Sequence, residues 1–143
     1  MSFTSALPVT DEDRALVELA RQTIDSTTDA DAGEDGIHTM GAALRVADGR
    51  TFAGVNLYHF TGGPCAETVA LAAARAAGAT EPTHIVAVGN HCRGVKSPCG
   101  RDRQIFADLY PMMRVIIDSS DGLVSVLAGE LLPAGFDYRA EQR

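Results

Sequence analysis

The chain has 143 residues, 45% of them hydrophobic and 22% charged. That length suits one domain spanning residues 1–143 with a core of its own, and the balance excludes disordered and fibrous classes. Twelve Lys and Arg against nineteen Asp and Glu leave a net charge of −7, so there is no overall pull toward nucleic-acid phosphates or an anionic lipid surface. The expected partner is a small molecule, with no nucleic acid and no membrane. The opening MSFTSALPVTDED has no basic stretch leading into an apolar run, and no apolar stretch approaches the ~20 residues of a membrane helix. The expected compartment is the cytoplasm. Three cysteines are an odd number without a disulfide-framework spacing, which points to reduced thiols used as ligands or buried.

Thr10, followed three residues on by Asp13, reads as a helix cap. Leu16, Leu19, Ala20, Thr23 and Ile24 then fall at helical spacing, so residues 11–26 read as an amphipathic helix. Thr27–Gly36 is polar, acidic and reads as a loop. Residues 40–47 and 51–57 are strand candidates around Asp48-Gly49, a strong hairpin signal. Gly62-Gly63-Pro64 breaks regular structure across 58–64. Ala-rich Cys65–Ala77 reads as a helix ended by Gly78. Thr83–Gly89 is a short β-branched run of buried-strand type, Asn90–Pro98 a loop, and Gly100–Leu109 a helix. Arg114–Ile117 and Leu123–Val126 are strands around an Asp121-Gly122 turn, and Leu127–Leu132 is a last helical turn before Pro133. Helices alternating with short buried strands predict an α/β fold with a mixed sheet and helices on both faces.

Two of these helices follow a turn containing proline and begin at a cysteine: Pro64-Cys65-Ala66-Glu67 and Pro98-Cys99-Gly100-Arg101-Asp102-Arg103-Gln104. If both N-termini point at one place, their free N–H groups and dipoles favour thiolates and a metal-bound anion. The spacing is similar to the H-x-E … P-C-x-x-C signature of zinc nucleobase deaminases, whose Glu is not a ligand. Cys65 stands where the His would be, Glu67 keeps the acid two residues on, and Cys99 supplies a second thiol. The third position holds Asp102 instead of Cys. Cys99 and Asp102, at i and i+3 of a helix, share a face and can chelate one ion. Cys65, Cys99 and Asp102 would leave one position of a Zn2+ ion open for water, as a catalytic site needs. Glu67 is then the proton carrier.

The run FAGVNLYHFTGGPCAE, Phe52 to Glu67, and the later Ser97-Pro98-Cys99-Gly100-Arg101 with Arg103-Gln104 resemble the blasticidin S deaminases, within the cytidine deaminase superfamily. Further likeness lies in Ile85–Asn90, Arg93-Gly94, Asp118–Gly122 and Glu130–Pro133, and covers roughly residues 10–138. The resemblance implies a three-layer α/β/α sandwich around a five-stranded mixed sheet. It also implies a homotetramer with active sites near subunit contacts and one zinc per subunit. The implied reaction is hydrolytic deamination of a cytosine nucleoside or analogue, 4-amino to 4-oxo with release of ammonia. Asn56, Tyr58 and the backbone near Ala66 would hold the substrate, and Arg103 would donate hydrogen bonds to the cysteine sulfurs. Where cytidine deaminases have a Glu for the ribose hydroxyl, this chain has Tyr58. That favours a nucleoside antibiotic of the blasticidin S kind over cytidine, and leaves antibiotic resistance, biosynthesis and salvage open as its role.

Asp102 leaves three readings open. It is itself a ligand; or Cys92 swings in from the 90–98 loop; or zinc is not held and the protein binds its ligand without catalysis. An enzyme for cytidine or another amino-azaheterocycle is the remaining alternative.

Overall fold

The computed structural model describes residues 2–142. In chain order it contains β1 (Leu7–Pro8), α1 (Asp11–Asp25), β2 (Met40–Val46), β3 (Thr51–Val55), α2 (Ala66–Ala76) and β4 (Pro82–Gly89). Then follow β5 (Gly94–Lys96), α3 (Gly100–Leu109), β6 (Arg114–Ser119), β7 (Gly122–Leu127), a 3₁₀ turn (Ala128–Leu131) and α4 (Tyr138–Glu141). The strands form one sheet in the order β1-β7-β6-β4-β2-β3, with β5 beside β4. Only β4 and β6 run parallel among these pairs; the rest are antiparallel.

The five principal strands, β3-β2-β4-β6-β7, are those expected. The sheet has seven because two short strands flank them. β1 is two residues long and β5 three, too short to carry a readable alternation, and β1 contains Pro8, which suits only an edge. β5 falls inside the expected 90–98 loop. A tight turn precedes it, in which His91 and Cys92 both take positive φ (52° and 59°).

Strand alternation divides the core into two layers. Ala42, Leu44, Ile85, Ala87, Val115 and Ile117 face one side, where α2 lays Ala66, Ala70 and Ala74 and α3 lays Phe106. Ala43, Val86, Val88 and Ile116 face the other, against Leu16, Ala20 and Ile24 of α1. This is the α/β/α sandwich. The small side chains of α2 allow a close approach to β3. A Cβ on Gly54 would lie 2.7 Å from the Ala70 backbone nitrogen and 2.9 Å from Val69 Cγ1. That contact sets the depth of α2 and, with it, the position of the residues at its start.

Around α1 the expected cap is reciprocal. Thr10 Oγ1 accepts from the Asp13 N–H (3.1 Å), and Asp13 Oδ2 accepts from the Thr10 N–H (3.0 Å). Asp13 is also buried against the sheet, where Arg45 Nη2 donates to its Oδ1 at 3.0 Å. The 27–36 loop is held by Asp29, which accepts from the Ile37 and His38 N–H groups, and by Asn90 Nδ2 donating to Thr28. Among the described residues no helix is long and apolar enough to cross a membrane.

Candidate active site

Cys65 and Cys99 are the N-cap residues of α2 and α3, and neither side chain makes a cap hydrogen bond. A sulfur is a weak acceptor, so the first N–H groups of both helices stay free of side-chain partners and the two dipoles converge on one spot. There the Cys65 and Cys99 sulfurs lie 3.5 Å apart. Asp102, in the first turn of α3, brings its carboxylate to the same place. One donor atom from each of Cys65, Cys99 and Asp102 falls within 4.8 Å of the other two. Asp102 is 1% exposed, and neither of its oxygens has a hydrogen-bond partner. Glu67, in the first turn of α2 and 6% exposed, lies beside it.

Such crowding of acids is costly without a counter-charge. Burial, then the charge of Asp102, pushes the Cys65 thiol up to about 12. Burial and Asp102 together push Glu67 up to about 8, and burial raises Asp102 above the usual carboxylate range. A buried carboxylate without a donor ordinarily costs several kcal/mol. A divalent cation fits this donor set. The tetrahedral edge between two zinc-bound sulfurs is about 3.8 Å, close to the separation of the two thiols. The ion would occupy the lone pairs that Asp102 leaves unmatched.

The three donors and Glu67 line a cleft of about 370 Å³ together with Asn56, Tyr58 and Ala66. Every site residue expected to touch ion or substrate is therefore brought to one cavity. Gly63 and Ser97, both within the motif segments, and Met40, outside them, join the lining; the residue type of Met40 carries no chemical signal by which the sequence would have marked it. Gly63 is required by packing, since a Cβ there would overlap the Leu57 carbonyl at 1.5 Å. His59 folds its own loop, its Nδ1 meeting Thr61 Oγ1. A larger depression of about 720 Å³, bordered by Leu16, Arg45 and His84, has no thiol in its lining.

One expectation needs correcting, and two further residues find their places. Arg103 does not bond the cysteine sulfurs: its Nε donates to the Pro98 carbonyl (2.9 Å) and its Nη1 to the Leu131 carbonyl (3.3 Å). It therefore braces the turn that delivers Cys99, because a side chain one turn into α3 folds back over the helix start. Cys92 stands exposed in the β4–β5 turn and is not part of the ligand cluster. Asn56 is partly committed to the fold, since its Oδ1 accepts from the Thr39 (2.7 Å) and Met40 (2.9 Å) N–H groups. Only its Nδ2, held at 3.3 Å from Thr39 Oγ1, is lightly engaged. His38 supports this corner through its Nδ1 at 2.7 Å from the Asn56 carbonyl.

The chain is 31% identical over 134 residues to the blasticidin-S deaminase of Bacillus cereus, covering 87% of this chain and 92% of the relative. It is 35% identical over 101 residues to the cytidine deaminase of Halalkalibacterium halodurans, covering 68% and 76% of the two. Among solved structures, the cytidine deaminase of Burkholderia pseudomallei superposes with a TM-score of 0.67 at 34% identity, over 90% of this chain and 100% of that one. No family model matches. The fold and cleft are those of a deaminase-like α/β/α sandwich, and the chain belongs to the cytidine deaminase superfamily.

Proposed function

We propose that the protein is a hydrolytic deaminase of a cytosine nucleoside or nucleoside analogue, turning a 4-amino into a 4-oxo pyrimidine with release of ammonia. One observation carries this reading: two thiols 3.5 Å apart and a buried carboxylate without hydrogen-bond partners meet beside a second buried acid, Glu67, in one cleft. The inferred cofactor is Zn2+, held by Cys65, Cys99 and Asp102. When bound it supplies a Lewis acid that lowers the pKa of a water to near neutrality.

The protons are carried by Glu67. Its carboxylate takes one from the attacking water, passes it to ring N3, and delivers the next to the departing amine. One water is consumed and one ammonia leaves. Burial without a cation holds Glu67 up to about 8; a nearby positive charge draws it down toward the range where both protonation states serve. Backbone groups near Ala66 at the start of α2 orient the O2 edge of the ring, and closed packing around Glu67 keeps bulk water from its carboxyl. At the sugar end, Asn56 donates through Nδ2, and Tyr58, 67% exposed at the cleft mouth, presents a phenol where a ribose-binding carboxylate would otherwise stand. This supports a blasticidin S-type nucleoside over cytidine.

Zinc-loaded protein incubated with blasticidin S or cytidine tests the reading through loss of cytosine absorbance and release of ammonia. The expected result is turnover of both, faster on blasticidin S. Turnover should stop with a chelator and return with zinc. Zinc-loaded protein that binds either compound without releasing ammonia refutes the catalytic reading in favour of a sequestering protein. We further infer a cytoplasmic homotetramer with a role in antibiotic resistance. Leu57, Tyr58 and Phe60, exposed together beside the cleft, support burial of that edge in an assembly. Light scattering should give four chains, and expression in a sensitive host should raise the inhibitory dose of blasticidin S.

A further inference from the structure

We propose that Asp102 makes this centre a two-thiolate, one-carboxylate site that discriminates less sharply between zinc and harder divalent ions such as Co2+ and Fe2+, and exchanges its ion more readily, than a three-thiolate site on the same fold. The inference rests on the reading of Cys65, Cys99 and Asp102 as a metal centre. Two observations carry it. Both Asp102 oxygens are buried and free of protein donors, so their lone pairs are available to an ion. Cys99, by contrast, is an exposed residue that lines the cleft, so one edge of the centre faces the cleft and the competing ligands that enter it.

The donor chemistry gives the direction. Thiolates are soft and favour zinc strongly over cobalt and iron, whereas a carboxylate oxygen is hard and serves the lighter divalent ions nearly as well. Exchanging a thiolate for a carboxylate keeps the donor set at three negative charges, so the change falls on selectivity and covalency and not on total charge. Because Asp102 is anchored in the first turn of α3, its carboxylate enters on a short, pre-placed side chain. The centre still chelates. Its outer donor Cys99 can be released to solvent, which gives an incoming chelator or a second ion a point of attack.

The test uses full-length metal-free protein titrated with Zn2+ and with Co2+ against a chromophoric chelator, for the wild type, Asp102→Cys and Asp102→Asn. Circular dichroism checks that each variant is folded. Asp102→Cys is expected to bind Zn2+ about tenfold or more tightly than wild type, to raise the Zn2+-to-Co2+ affinity ratio about tenfold, and to slow zinc release to the chelator. Its thiolate-to-cobalt absorption should rise to about 1.5 times the wild-type intensity, three thiolates against two. Asp102→Asn should weaken both metals by about tenfold or more. An Asp102→Cys protein with the three-thiolate spectrum but an unchanged affinity ratio overturns the inference while leaving the metal centre intact. Asp102→Asn binding both ions like wild type overturns it too, and decides the matter if Asp102→Cys fails to fold. Wild-type protein that binds neither Zn2+ nor Co2+ removes the metal reading itself.

Discussion

Gly54→Ala tests how the sheet sets the site. The added Cβ would stand 2.7 Å from the Ala70 nitrogen, 2.9 Å from Val69 Cγ1 and 3.0 Å from the Ala66 carbonyl oxygen. Ordinary contact begins at about 3.4 Å. Two of the three neighbours are backbone atoms of α2, so no rotamer change relieves the overlap, and the helix must move outward by about 0.5–0.7 Å. Overpacking of this kind costs about 1–3 kcal/mol, or roughly 3–12 °C in Tm for a chain of this size. The displaced helix carries Cys65 at its cap and Glu67 in its first turn. A shift of that size is near the tolerance of a catalytic constellation, so kcat/KM should fall about 10–100-fold. Thermal melts and initial rates of ammonia release on the same preparation give both numbers. A Gly54→Ala protein with wild-type Tm and wild-type rates would refute the argument that the β3–α2 contact positions the site.

Glu67→Gln keeps the shape of the side chain and removes its proton chemistry. Metal content should be unchanged while kcat drops about 10²–10⁴-fold, and an active Gln variant would show that another group carries the protons. Tyr58→Glu should shift the kcat/KM ratio toward cytidine over blasticidin S by about tenfold, measured by competing the two substrates. Arg103→Ala releases the Pro98 carbonyl and should weaken zinc binding by about tenfold or more; unchanged affinity would show that the turn before Cys99 stands without the brace. Stability should fall on acidification in two stages. Burial, then Arg45, holds His84 below its ordinary 6.5. The unfolded chain therefore takes up that proton first, and stability declines as pH falls below 6.5. Asp13 lies below its ordinary 3.8: burial pushes it up, but the Thr10 N–H, Arg45 and His84 outweigh burial. Its contribution is intact above pH 3.8 and is lost as pH falls through the lower folded value. Urea midpoints at pH 7.5, 5.5 and 3.5 (values bracketing the ordinary pKa values of both groups) check this, and His84→Gln should remove the first stage and, because His84 also helps hold Asp13 down, shrink the second.

Much of the fold is legible from local pattern. The capped helix at 11–26 ends one residue sooner, at Asp25, and the hairpin around Asp48-Gly49 and the helix at Gly100–Leu109 lie where periodicity and turn chemistry put them. These signals are local, because hydrophobic period and capping chemistry act over a few residues. β1 and β5 are absent from that reading because short strands exist only through their neighbours: β1 pairs with β7 more than a hundred residues away, and β5 folds back on β4.

The site divides in the same way. Residue type and spacing alone determined that Cys65, Glu67, Cys99 and Asp102 sit at the starts of two helices, with Cys65, Cys99 and Asp102 as a donor set and Glu67 as the acid beside it. Only the tertiary structure decided that the two sulfurs meet at 3.5 Å, that both Asp102 oxygens lack a protein partner, that Cys92 stays outside, and that Arg103 holds a carbonyl instead of a thiol. The physical reason is reach. Helix capping and periodicity are settled within a turn or two of the chain. The meeting of α2 and α3 depends instead on how closely each packs on the sheet, and the close approach at Gly54 is a contact between segments that share no local pattern.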